Sequence, residues 1–377
     1  MKDDNKIEKI KSEENDFYVN DDIYTINSWG ADLSFRELVE RYNDDELIKP
    51  ELQRKYVWDK TEASRFIDSL LLGLPVPSIF LAKQENEKLL IVDGYQRIMT
   101  VRDYISGIFT GDGKVFKLTR SNKINARWMG KAFSELSDTE QRRIKNTTIH
   151  AIIFSQSEPS DNETGMYQVF ERINTSGRTL FPQEIRNCVY HGKFNKLLLD
   201  INKNEEWRKL FGSTKEDSRM RDIEFILRFL AIRNHDFKNE TSASISLKKF
   251  LNEFMKSRYN NTEERIIFFE NQFIETIKKV SDLFGKSAFH NISSKHPNKL
   301  VNKFNPTIFD SIMTATSLMI KQGINFDRND YESSRLNLLR DECYQNAIST
   351  RTTNVDNINT RISLALKYLF DFDYEEL

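Results

Sequence analysis

Cysteine is scarce in this 377-residue chain, which has only Cys188 and Cys343. Two such distant residues build neither a disulfide framework nor a CxxC metal clip, and they suit a reducing cytoplasm. No apolar run approaches the roughly 20 residues a membrane helix needs, so no membrane partner is expected. The opening MKDDNKIEKIKSEEND is charged and lacks the apolar stretch of a signal peptide. The expected location is therefore cytoplasmic. There is little excess charge of either sign, a net -1 with 30% charged residues. That excludes a uniformly basic coat for nucleic acid while leaving room for a local basic groove. Histidine occurs five times, and Phe289-His290-Asn291 lacks ligand spacing for zinc.

Apolar material is plentiful. Hydrophobic residues make up 38% and include 27 Phe, enough for a packed core in each of two ordinary domains. Residues 1–20 are polar and charged, and a flexible start is expected. Ser34 followed by Glu37 reads as a capping box opening a helix over 34–42. Residues 50–54 read as extended. Phe66, Ile67, Leu70 and Leu71 mark one face of a helix over 61–72 that Gly73 stops. Strands are expected at 78–82 and 89–92, separated by a turn at 84–88. Ile98, Val101, Tyr104, Ile105 and Ile108 return at helical spacing. A turn at 111–113 precedes a strand at 115–118, Ser137 and Glu140 form a second capping box, and 149–154 reads as an apolar strand. Met166, Val169, Phe170 and Ile173 make a helical face, and Pro182 opens the next helix. From about residue 190 only helical periodicity remains, with no constant repeat. The expected fold is α+β with a small mixed sheet, then an all-helical part, divided as 1–20, 21–190 and 191–377.

Asp93-Gly94-Tyr95-Gln96-Arg97 falls where a strand feeds a helix. Such a helix start attracts phosphate through its dipole and its unpaired N–H groups. Arg97 places a cation at the positive end, a conflict that a bound anion would remove. Asp93 suits a metal ion or a water, and Gln96 a water or a phosphate oxygen. Against this stands a plain structural reading, with Asp93 as an N-cap and Arg97 as a surface ion pair. Gln53-Arg54 offers a second guanidinium fork, beside Tyr56-Val57-Trp58. Phe170-Glu171-Arg172-Ile173-Asn174-Thr175 and Gly177-Arg178 form a third polar segment, part of which is helix-ending chemistry.

Three stretches together resemble the N-terminal domain of the GmrSD-type restriction endonuclease family, a ParB/sulfiredoxin-like fold. They are Pro50-Glu51-Leu52-Gln53-Arg54-Lys55-Tyr56-Val57-Trp58 with residues 67–77, then Val92-Asp93-Gly94-Tyr95-Gln96-Arg97, then 170–175 through Leu180 and Glu184. The family motif is Asp-Gly-Gln-Gln-Arg, and Tyr95 stands at its first Gln. The resemblance implies binding and hydrolysis of a nucleoside triphosphate, GTP or ATP, with Mg²⁺ at Asp93. It implies catalytic roles for Asp93, Gln96 and Arg97. A nucleotide-binding surface would comprise Gln53, Arg54, Gly94, Tyr95, Glu171, Arg172, Asn174 and Arg178. The third stretch also resembles the nucleotide-facing Glu-Asn…Arg segment of ParB proteins. Full-length relatives often carry an HNH-like nuclease domain, whose Glu/Asp-His-Ile-x-Pro motif this chain lacks; His296-Pro297 reads as structural.

Three functions stay open at this level. One is a nucleotide-dependent enzyme of antiviral, restriction-type defence acting on DNA, with a partner nuclease or methyltransferase and room for an oligomer. Another is a sensor of nucleotide or nucleic acid without turnover. The last is a metal-dependent, ParB-like nuclease.

Overall fold

A computed structural model describes residues 7–10, 13, 25–48, 58–84, 86–158, 164–173, 181–190, 192–293, 296 and 299–376. The chain divides into two compact units, residues 21–189 and residues 190–377 together with 1–20.

The first unit is built on a mixed five-stranded sheet. Its strands are β1 (Thr25–Ser34), β2 (Leu47–Ile48), β3 (Ile79–Lys83), β4 (Leu89–Asp93) and, far along the chain, β7 (Thr148–Glu158). The order is β1-β7-β3-β4-β2. β7 pairs antiparallel with β1 and parallel with β3, while β4 pairs antiparallel with β3 and parallel with β2. The short apolar runs IFLAK and LLIVD sit in the interior of the sheet and are mostly buried, as expected for strands covered on both faces.

Helices α1 (Phe35–Asn43), α2 (Lys60–Leu72), α3 (Tyr95–Ser106) and α4 (Asp138–Asn146) pack with the sheet around one core, and Phe66 meets Phe35 and Trp58 edge-on within it. Ser34 caps α1, and Asp59 and Ser137 form capping boxes on α2 and α4. Gly73, at φ 75°, ends α2 where expected. Between α3 and α4 runs a small hairpin, β5 (Ile108–Phe109) with β6 (Lys114–Val115). The unit closes with α5 (Thr164–Ile173) and α6 (Pro182–Val189).

Several expectations are corrected here. Ile108 belongs to β5, because Gly107 ends α3 in the left-handed region. The strand expected at 115–118 is only Lys114–Val115, and Phe116 and Leu118 are buried beyond it in irregular chain. β1 and β2 were not anticipated.

The second unit is helical, with α7 (Lys193–Ile201), α8 (Glu205–Phe211), α9 (Arg221–Arg233), α10 (Leu247–Lys256), α11 (Glu263–Phe284), α12 (Pro306–Lys321), α13 (Tyr331–Arg340), α14 (Glu342–Ser349) and α15 (Val355–Phe370). It is not all-helical. The hairpin β8 (His290–Ile292) with β9 (Leu300–Phe304) delivers Phe304 into an aromatic core, 4.8 Å from Phe225 and 5.4 Å from Phe309 between ring centres.

Nor does the flexible start hold for its described residues. Ile7 bridges Phe304, Glu8 accepts from Asn305 Nδ2 at 2.9 Å, and the Glu13 carboxylate is bonded by Arg228 and Thr352 inside the helical unit. Among the described residues no helix is long and apolar enough to cross a membrane.

Candidate functional site

β4 ends at Asp93, Gly94 makes the turn, and α3 begins at Tyr95. Gly94 has φ 105°, a conformation nearly reserved for glycine. A Cβ added there would lie 2.2 Å from Ile79 Cγ2 and 2.8 Å from Ile79 Cβ. The turn therefore presses directly against the first residue of β3, leaving no room for a side chain. Unlike α1, α2 and α4, α3 has no side-chain cap, and its first turn carries no acidic residue. Compared with α1, α2 and α4, the start of α3 is thus an electropositive helix end without a built-in side-chain acceptor.

The conflict expected at Arg97 is resolved within the protein. Its Nη2 donates to Asp93 Oδ2 at 2.7 Å, and its Nη1 donates to the carbonyls of Ser78 at 2.6 Å and Pro77 at 3.0 Å. Asp93 supplies the anion, so the motive for placing a ligand at Arg97 falls away. Asp93 is not the side-chain N-cap of the plain reading either; that position is Gly94. The Arg97 side chain is only 15% exposed, whereas that of Asp93 is 37% exposed. Among the described residues no hydrogen bond reaches Asp93 Oδ1, leaving that oxygen available for a ligand or a water. Arg97 acts as a brace between the start of α3 and the chain leading into β3.

Arg97→Ala is therefore expected to lower stability by about 2 kcal/mol, the scale of charge-assisted hydrogen bonds lost from a half-buried place. Urea midpoints of variant and parent measure this. An unchanged midpoint would mean the guanidinium is held for a ligand and not for the fold.

Gln96 turns its side chain to a distant segment, with Oε1 accepting from the Trp58 backbone N–H at 3.4 Å. Trp58 itself packs edge-on to Phe66 at 5.6 Å. Tyr95 departs from the nucleotide-binding role. It is 7% exposed, in the core cluster. Burial first, and then the hydroxyl of Tyr42 bonded to it, raise its phenol far above the usual range. The tyrosine that replaces the motif's first Gln is thus absorbed by packing between α1 and α3. Asp103, two turns along α3, has its carboxyl raised by burial, against the opposing bonds from Thr110 N at 2.7 Å and Thr110 Oγ1 at 2.8 Å. It pins the chain that leaves α3.

Glu171, half-buried, and Arg172, exposed, end α5. Gln53, Arg54, Asn174 and Arg178 lie outside the described residues, so their expected convergence on Arg97 does too. The structure brings together Asp93, Gly94, Gln96 and Arg97 with three partners that sequence reasoning missed, the Pro77 and Ser78 carbonyls and the Trp58 N–H. Backbone acceptors and donors carry no residue signature. The only hint was the Gly73-Leu74-Pro75-Val76-Pro77 run, which fixes the loop that presents those carbonyls.

As to metal, no three His, Cys, Asp or Glu side chains gather among the described residues. Asp93 fits Mg²⁺ only as a single carboxylate, in the manner of an ion that arrives with substrate phosphates and keeps several waters.

Residues 35–191 match the family described as GmrSD restriction endonuclease, N-terminal domain. This segment is a GmrSD N-terminal domain. The match begins at the first residue of α1, so β1, which pairs along β7 from Ser34↔Thr148 to Thr25↔Glu158, is a sheet strand outside the matched part. No curated protein and no solved structure matches the chain.

Proposed function

We propose that this chain is a nucleotide-binding, NTP-hydrolysing component of a restriction-type defence system acting on DNA, with the turn at Asp93–Arg97 as its site. One observation carries the reading. A segment matching a restriction endonuclease's GmrSD N-terminal domain has its Asp-Gly-x-Gln-Arg residues at a side-chain-uncapped helix start, beside a carboxylate with one oxygen unengaged among the described residues. The α3 N–H groups would receive phosphate oxygens. Asp93 would hold Mg²⁺ or orient the attacking water, and Gln96 would help place that water. Mg²⁺ would supply charge neutralisation at the phosphates. Gln53, Arg54, Glu171, Arg172, Asn174 and Arg178 would complete the pocket, and a nuclease or methyltransferase would be the partner. The engagement of Arg97 by Asp93 and two carbonyls favours one second reading, a sensor that binds nucleotide with little turnover.

Hydrolysis of labelled ATP and GTP with Mg²⁺, with and without DNA, tests this. Asp93→Asn keeps the shape and an acceptor for Arg97. It is expected to slow turnover about 100-fold or more, the scale of a lost general acid–base group, while calorimetry still shows nucleotide binding. Binding without turnover in the parent chain selects the sensor. Absence of binding sinks both.

A further inference from the structure

Arg265, in the first turn of α11, has a guanidinium with three aromatic neighbours and, among the described residues, no hydrogen-bonded or ion-paired partner. Its centre lies 5.0 Å from the Tyr259 ring, 4.6 Å from Phe268 and 4.4 Å from Phe269. Its Nε is buried without a hydrogen-bond partner, and among the described residues no carboxylate pairs with it. Phe269 is fully buried and forms the floor. Tyr259 is 63% exposed and Phe268 41% exposed, with Ile267 beside them at 57%. Arg258, next to Tyr259, is also exposed, and among the described residues no hydrogen bond or ion pair engages its side chain. Glu263 does not neutralise the patch, being tied to Lys193. Glu264 precedes Arg265 by one residue, roughly 100° around the helix.

Large rings left in water, and a guanidinium with no acceptor among the described residues, each cost free energy in the isolated chain. One ligand chemistry uses both. A flexible polyanion with planar groups would lay its phosphates on Arg258 and Arg265 and its bases on Tyr259 and Phe268. We propose that this face of the helical unit is a stacking platform for single-stranded nucleic acid. Stacking on exposed rings beside arginines is tolerant of sequence, whereas a duplex keeps its bases inside and offers only phosphates. The inference stands apart from the nucleotide reading of Asp93, and Asp93→Asn should leave it intact.

The test is fluorescence anisotropy of a labelled oligo-dT and of a duplex of equal length with the full chain, over a series of salt concentrations. The parent chain is expected to prefer the single strand. Tyr259→Ala and Phe268→Ala, both at exposed rings, should each weaken single-strand binding about 5- to 150-fold, with unchanged melting curves. Arg258→Ala should make the slope of log affinity against log salt shallower by about 0.7, the signature of one lost phosphate contact on a single strand. A merely structural patch would leave that slope unmoved. The proposal is overturned by no binding of oligo-dT, by variants with the parent's affinity and slope, or by tighter binding of a poly-glutamate peptide than of oligo-dT.

Discussion

Glu13→Ala is expected to destabilise the helical unit by about 3–5 kcal/mol, the cost of leaving a buried cation without its partner. Glu13 meets Arg228 through two hydrogen bonds of 2.7 and 2.8 Å. Arg228 in turn holds Asp310 at 2.7 Å, and Arg361 reaches the same Asp310 oxygen at 3.4 Å. The Arg228, Asp310 and Arg361 side chains are at most 3% exposed, and that of Glu13 is 14% exposed. Two carboxylates balance two guanidiniums, so removing Glu13 leaves a net buried positive charge. Burial pushes the Glu13 carboxyl upward, but the charge and hydrogen bonds of Arg228, with Arg361 and the Thr352 hydroxyl, outweigh it and hold it below its ordinary value. A carboxyl depressed in the folded state contributes stability that is complete above the usual carboxylate range and is lost as pH falls below that range through the lower value held in the fold. Urea titrations of parent and variant at neutral pH, then at acid pH, should show a large gap that narrows on acidification. Equal midpoints at neutral pH would remove Glu13 from the network. The same bonding predicts that a fragment starting at residue 190 is less stable than one supplied with residues 7–13.

Gly94→Ala is expected to cost about 3 kcal/mol or more. One contribution is the backbone, since φ 105° is a conformation that residues with a Cβ rarely adopt. The other is overlap with Ile79, itself fully buried. Relief by movement of Ile79 would disturb a residue that pairs with Ala151 of β7 and begins the strand after Ser78, whose carbonyl holds Arg97. The clash can be separated from the strain by a double variant. Ile79→Ala alone leaves a cavity and should cost roughly 2–5 kcal/mol. Combined with Gly94→Ala it should cost clearly less than the sum, because the new methyl fills part of that space. Strict additivity in denaturant titrations would show that the close approach at Gly94 has no energetic weight.

What the sequence made legible follows from local rules. α2 was readable because its apolar face recurs at helical spacing and Gly73 stops it. β3 and β4 were readable because short apolar runs are bounded by turn residues. The strand-to-helix turn at Gly94 was readable from the switch of period on either side of it. β1 was not, because TINSWGADLS is polar, carries a glycine and lies at the sheet's edge, where no alternating pattern is imposed. The buried Ile124 and Trp128 sit in irregular chain that no periodicity marks. At the site, the residue types are legible, and the structure gives Arg97 and Tyr95 partners inside the protein. The pairing of Arg97 with Asp93, four residues before it, is local and agrees with the plain reading of Arg97 as an ion-pairing residue, whereas the carbonyls of residues 77 and 78 reach it only through tertiary geometry. Tyr95 was placed in a pocket because nothing in the chain announces Tyr42 as its partner.

The joining of residues 7–13 to the helical unit sets an order of events during synthesis. Residues 21–189 leave the ribosome with all of their own sheet and helices. Glu13 emerges earlier still, yet Thr352, which donates to it, follows 339 residues later. At common elongation rates that interval is roughly 20–70 s. Through it the first segment has no completed partner, and the helical unit closes only when the last helices arrive. A ribosome stalled before residue 352 would thus carry a finished GmrSD N-terminal domain between two unjoined parts of the other unit, a state that pulse proteolysis of stalled chains would reveal as a protected fragment with cleavable segments on both sides.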